Sequence, residues 1–158
     1  PPSALRPRST IMSDKGLEEG AIERLDWEKL QTVAATDAHV LPVVVQDAQN
    51  GAVLIVAYAN KEALRESFRR GVAVLWSTSR NELWVKGATS GNTLELVEVR
   101  VNCEQNSLLY RVRVKEGKGA CHTTTAEGKA RFGCYYRKLS ADGTLQIEGD
   151  AGRFTAVK

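Results

Sequence analysis

The sequence predicts a single α+β domain, rich in sheet, built of short antiparallel strands with two helices. Three observations lead there. The chain has 158 residues, close to the commonest size of one domain. Short apolar runs recur between clusters of Gly, Asn, Asp and Ser, the pattern of strands joined by tight turns. Only two stretches, 16–35 and 61–70, carry the spacing or the caps of helices. No internal repeat is present.

Taken in order, residues 1–15 predict a disordered arm or a processing remnant. Pro1–Met12 holds three Pro, two Arg and no acid, a composition that also fits the end of a targeting segment. Residues 16–35 have an imperfect apolar stripe of Ile22, Leu25, Leu30 and Val33, with acids in the first turns, and predict a packing helix without chemistry. Residues 41–47 predict a strand, Asn50-Gly51 a hairpin turn, and 52–59 its return strand, apolar enough to be central. Asn60 caps a helix over 61–70 that Gly71 ends. Strands follow at 72–77 and 83–87, then a longer antiparallel pair at 94–102 and 107–114. Residues 121–134 read as a loop and 135–139 as a strand, closing a domain of 16–139. Residues 140–158 predict a hairpin-like extension, with strands at 144–148 and 153–157.

Charge and composition narrow the partners. A net charge of +3, with no dense Lys/Arg cluster, argues against nucleic acid. No apolar run is long enough to span a membrane. Three cysteines are an odd number, so they cannot all pair within one chain. Free thiols predict a reducing compartment, the cytoplasm, or an organelle if residues 1–12 are a targeting remnant.

The chemistry concentrates between Asn102 and Tyr136. All three cysteines, Cys103, Cys121 and Cys134, lie there, and His122 follows the second. Thiolates and an imidazole are the donors that a zinc site uses. Asn102, Glu104 and Asn106 alternate around Cys103 and add oxygen donors. Spacings of 18 and 13 residues match no zinc finger, however, and the three thiols equally suit small buried side chains. A second block, residues 76–92 (WSTSRNELWVKGATSGN), places Ser and Thr hydroxyls, Arg80, Lys86, Gly87 and Gly91 beside Trp76 and Trp84. Such a set makes a phosphate cradle with an aromatic face for a base. It equally fits a Ser/Thr-rich hairpin with both tryptophans in the core. Neither GxxxxGK[ST] nor GxGxxG occurs. The His-x-Glu and Pro-Cys-x-x-Cys words of a zinc deaminase are also missing.

Taken together, the words Gln46-Asp47, Ala57-Tyr58-x-Asn60, Trp76-Ser77-x-Ser79-Arg80, Leu83-Trp84-x-Lys86-Gly87-x-Thr89-Ser90-Gly91-Asn92, Gly119-Ala120-Cys121-His122-Thr123 and Cys134-Tyr135-Tyr136 make the chain resemble the phosphoribosyl-AMP cyclohydrolases of histidine biosynthesis. The resemblance covers about residues 40–139. It implies an intertwined homodimer with active sites at the subunit interface. It implies zinc on Cys103, Cys121 and Cys134, contributed across that interface. His122 becomes the catalytic proton shuttle, or a residue bonded behind the ligands. Ser77, Ser79, Arg80, Lys86, Thr89, Ser90, Gly91 and Asn92 become contacts for a phosphoribosyl nucleotide, with Trp76 or Trp84 against its base. The family also holds magnesium on an Asp-Cys-Asp-x-Asp stretch. Here Asn102, Glu104 and Asn106 stand at its carboxylate positions, leaving one carboxylate to bind the cation. The loop from Cys121 to Cys134 is also longer than the family's. These departures leave two expectations: an enzyme with a rebuilt or dispensable oxygen site, or a zinc-stabilised structural subunit that no longer turns over.

Overall fold

The structure, a computed structural model, describes residues 14–148. The readings for residues 1–12 and for a strand at 153–157 lie outside those residues. The architecture is α+β, as the sequence predicts. Strands β1 (Leu41–Asp47) and β2 (Val53–Ala59) form the expected hairpin. Gly51 sits at its turn with φ +77°, a left-handed conformation that favours glycine. Helix α3 (Lys61–Arg70) begins where the Asn60 side chain accepts from Ala63 N and ends at Gly71, φ +68°. A hairpin of β3 (Val74–Ser77) and β4 (Glu82–Val85) follows, then β5 (Glu95–Val101) and β6 (Leu108–Arg113), paired antiparallel.

The main sheet runs β2-β1-β6-β5. It differs from the sequence reading in two ways. β1 and β6 pair in parallel, because α3 and the β3–β4 hairpin carry the chain across between the two halves. β2 is an edge strand, not a central one. Its apolar run is used all the same. Leu54, Ala57 and Ala59 are buried in the core, while Leu54 O accepts from Cys134 N at 2.8 Å along the outer edge. Alternation on β1 and β6 places Val43, Val45, Leu108, Tyr110 and Val112 on one buried face, against Ala63 of α3 and Val74 and Leu75 of β3.

The long helix expected over 16–35 is broken. α1 (Lys15–Glu19) and α2 (Lys29–Ala35) are separated by an extended stretch. Gly20 leaves the helix with extended backbone. The apolar residues of the stripe do not share a buried face: Ile22, Leu25 and Leu30 are 65%, 50% and 70% exposed, and only Val33 is buried. Short helices need such a face to persist. The tail differs as well. β8 (Leu145–Ile147) pairs with β7 (Arg137–Leu139), around a turn closed by Gly143 N to Ser140 O.

One buried hydroxyl ties the layers together. Ser67 Oγ lies 2.8 Å from Ala63 O and 2.9 Å from Val74 O, either of which can take its proton, and accepts from Val74 N at 3.0 Å. The Tyr110 hydroxyl is 3.4 Å away. Replacing Ser67 by Ala strands Val74 N in the core. The Ser67→Ala variant should lose about 1–3 kcal/mol, read as a lower urea midpoint at unchanged slope.

Candidate active site

The β3–β4 hairpin presents the first half of the site. Its turn is internally bonded: Ser77 Oγ is 3.3 Å from Ser79 Oγ, accepts from Arg80 N at 3.2 Å and lies 3.4 Å from Arg80 Nε. Ser77 and Ser79 are thereby occupied in shaping the turn. Arg80 reaches the rim of a cleft of about 570 Å³, a volume suited to a nucleotide-sized ligand. Trp84, Lys86, Gly87, Thr89, Ser90, Asn92, Cys121 and His122 also line it. Trp76, Ser77, Ser79 and Gly91 are not among its lining residues. The turn after β4 is as tight as packing allows. Gly87 has φ +80°, and a Cβ there would collide with the backbone of Asn92. Asn92 Oδ1 is buried, lies at the cleft, and finds no hydrogen-bond partner among the described residues. A buried acceptor without a donor points to a ligand N–H or a water.

The second half comes from residues 119–134. The segment read as a loop is a narrow hairpin. Ala120 N donates to Phe132 O, Cys121 N to Arg131 O, Arg131 N to Thr123 O and Thr125 N to Lys129 O. Gly119 fits because its missing side chain leaves room for Arg131 O. The 13 residues from Cys121 to Cys134 therefore fold back on themselves, and extra length goes into the hairpin rather than between the thiols. Cys134 is fixed from the other side by its bond to β2.

The Cys121 and Cys134 side chains lie close enough to shift each other's titration. The Cys134 partner, with further bonds from Thr123 and the nearby His122, pulls Cys121 down to about 5, while the same contact and burial push Cys134 up. Thr123 Oγ1 is 3.0 Å from Cys121 Sγ. Lys86 completes the electrostatics. It is only 6% exposed, its Nζ 5.5 Å from the Trp84 ring centre. Burial lowers its pKa, and the charge on Cys134 and Cys121 opposes that shift.

Cys103 stands apart. It is exposed on the turn between β5 and β6. Among the described residues of one chain, no three His, Cys, Asp or Glu side chains converge on a metal position. The donor set within a subunit is thus two thiols, one held as thiolate, which fits part of a zinc site. The turn around Cys103 closes on itself. Asn102 Oδ1 accepts from Asn106 N and Ser107 N, both at 2.9 Å. Asn102 Nδ2 donates to Asn106 Oδ1 at 2.6 Å, and Asn106 Nδ2 to Glu104 Oε2 at 3.1 Å. Within one chain these residues do not fit a magnesium ion: their oxygens already have donors and only one is a carboxylate.

His122 is 69% exposed at its side chain, and its Nε2 lies 2.8 Å from Glu18 Oε1. Sequence reasoning missed Glu18, since 16–35 reads as a packing helix. The only available signal was a pair of acids ahead of Gly20, where the helix ends.

The comparisons with known proteins agree with this arrangement. The family model described as phosphoribosyl-AMP cyclohydrolase matches residues 55–136, which include the cleft, both buried-side thiols and the Cys103 turn. The chain is 39% identical over 157 residues to a phosphoribosyl-AMP cyclohydrolase of Mesorhizobium japonicum, covering 98% of this chain and 94% of the relative. It is 38% identical over 128 residues to that of Chlorobium phaeovibrioides, covering 81% and 88%. With that of Archaeoglobus fulgidus it shares 43% over 103 residues, covering 65% and 88%.

The thiol pair has a direct readout. In metal-free protein carrying Cys103→Ser, ultraviolet thiolate absorbance should show one thiolate at neutral pH. It should be lost only as the pH falls through about 5. Adding Cys134→Ala removes the partner thiol without supplying a hydroxyl, and the remaining thiol should titrate higher.

Proposed function

Because this chain belongs to the phosphoribosyl-AMP cyclohydrolase family, hydrolases of histidine biosynthesis, we propose that it opens the purine ring of phosphoribosyl-AMP between N1 and C6, with zinc at its thiols. The observation that carries this reading is a single cleft lined both by the Lys86–Asn92 turn and by Cys121 and His122. One wall offers hydroxyls, a guanidinium and an indole face; the other offers thiolate and imidazole.

The chain's own residues divide the work as follows. Arg80, Thr89 and Ser90 bind the substrate phosphates, and Trp84 covers the base. Asn92 Oδ1, buried and without a donor, accepts from an N–H of the purine. Lys86 balances the thiolate charge beside it. Cys121 and Cys134 hold zinc from one subunit, and Cys103 of a second copy completes the set. Zinc on thiolates supplies Lewis acidity that activates water near neutral pH. His122 takes a proton from the water that adds to C6, and returns one to N1 as the N1–C6 bond breaks.

A homodimer with shared sites is supported by two features. Cys103 lies away from the other thiols on an exposed turn. Val56, Phe68, Val97 and Val101 are 47%, 62%, 44% and 56% exposed, apolar side chains that a second copy would cover. Magnesium is dispensable on this reading, since the Asn102–Asn106 turn is held by its own hydrogen bonds.

Turnover of phosphoribosyl-AMP, followed by the ultraviolet change on ring opening with zinc measured on the same sample, tests the reading. Cys121→Ser should lose zinc and turnover together, and chelating magnesium should leave the wild-type rate unchanged. No turnover at one zinc per chain would overturn it. Sharing of the site has its own test. Cys103→Ser and Cys121→Ser proteins, each inactive alone, should recover roughly a quarter of wild-type turnover when unfolded together and reassembled, because half the dimers then contain one complete site.

A further inference from the structure

We propose that Glu18 is a positioning residue for His122, fixing which ring nitrogen carries the proton. The inference rests on the proton-transfer role given to His122 above. Glu18 Oε1 lies 2.8 Å from His122 Nε2, a carboxylate acceptor that places the ring hydrogen on Nε2. Nδ1 is then the unprotonated nitrogen, free to act as a base. His122 lines the cleft, so the bond reaches from the N-terminal segment to its wall.

An exposed ion pair by itself is worth little, because two long side chains must be ordered to form it. Glu18 differs from that case. Its side chain is only 19% exposed. Its backbone is held from both sides: Glu18 N donates to Asp14 O at 2.8 Å, and the Tyr136 hydroxyl donates to Glu18 O at 2.7 Å. The next residue, Glu19, is 3.4 Å from Arg131, a buried guanidinium stacked 4.1 Å from the Tyr136 ring centre. Arg137 Nη1 donates to Gly20 O at 3.1 Å. Further along, Leu145 N donates to Ala21 O and Glu23 N to Gly143 O. The segment is thus strapped across residues 131–145 at five positions between Glu18 and Glu23. The Glu18 carboxylate is ordered by the strap before it meets the histidine, and most of the entropy cost of the pair is already met by the fold.

The chain has only two histidines, His39 and His122, so the ring-nitrogen spectrum of the whole zinc-loaded protein is simple to assign. Wild type should show His122 as the Nε2–H tautomer. Glu18→Ala should give a mixture of tautomers and lower kcat about tenfold or more, the scale of a misplaced catalytic group, with KM within about twofold. Glu18→Gln, whose amide oxygen can accept the same hydrogen, should restore the tautomer and much of kcat. Glu18→Ala should add nothing to His122→Gln. Glu19→Gln, which loosens the strap without touching the ring, should leave the tautomer unchanged. If Glu18→Ala keeps both the wild-type tautomer and kcat while His122→Gln is impaired, the inference fails and the role of His122 stands. If His122→Gln turns over normally, the role of His122 fails and the inference with it.

Discussion

The contact between Cys121 and Cys134 is the constraint on which the rest of the site depends. Two thiols meet in a half-buried position only if two chain segments are held in register. One is the hairpin of 119–134, closed by backbone bonds on both legs and by the close approach of Gly119 to Arg131. The other is the edge of β2, whose Leu54 carbonyl takes the Cys134 amide. The edge position of β2 is therefore functional. A central strand would have spent that carbonyl on another strand, and Cys134 would have had no anchor. Because the anchors act at the two ends, the middle of the hairpin is free to lengthen. Loop length costs stability only logarithmically, and here even that cost falls on residues that pair with each other.

Electrostatics follow from the same contact. Cys121 is buried and its thiol is pulled down toward the charged form, and a buried charge without a partner is strongly disfavoured. Lys86 supplies the partner from the opposite wall, and it too would be disfavoured alone. The two walls of the cleft are thus bound by charge as well as by packing. Lys86, though it sits in a phosphate-like word of the sequence, is 6% exposed and packed over the Trp84 ring. On the proposed function, phosphate binding by the turn would rest more on Arg80 at the rim and on Thr89 and Ser90, which line the cleft.

Much of this was legible in the residues. The caps Asn60 and Gly71, the Asn50-Gly51 turn and the alternation of β1 and β6 are local signals, and each element appears where its signal stands. The cleft was legible as two words, one rich in hydroxyl and cation, one in thiol and imidazole. What was not legible is non-local. Nothing in an apolar run says whether it is an edge or a centre, so β2 was misplaced. Nothing in the spacing of Ile22, Leu25, Leu30 and Val33 says that no face exists to receive them, so a broken segment read as one helix. Ser77 and Ser79 have the chemistry of phosphate contacts, and their hydroxyls also bond within their own turn. Composition cannot distinguish those uses.

The departures at Asn102 and Asn106 have a physical logic of their own. Three carboxylates on one short turn repel one another, and a divalent cation is what such a turn needs to stay closed. An amide in place of a carboxylate changes the sign of the problem, because its NH2 donates where a carboxylate only accepts. Asn102 and Asn106 use both ends: one oxygen takes two backbone amides, one NH2 meets the other asparagine, and the second NH2 neutralises part of the demand of Glu104. The turn is closed without an ion, and Cys103 is presented on it. If Cys103 is to reach thiols on another copy, the turn must be rigid before assembly. A hydrogen-bonded turn satisfies that condition at any cation concentration, whereas a carboxylate turn satisfies it only when loaded. On the proposed function, amides at Asn102 and Asn106 would leave the placement of Cys103 to the hydrogen-bonded backbone rather than to a bound cation.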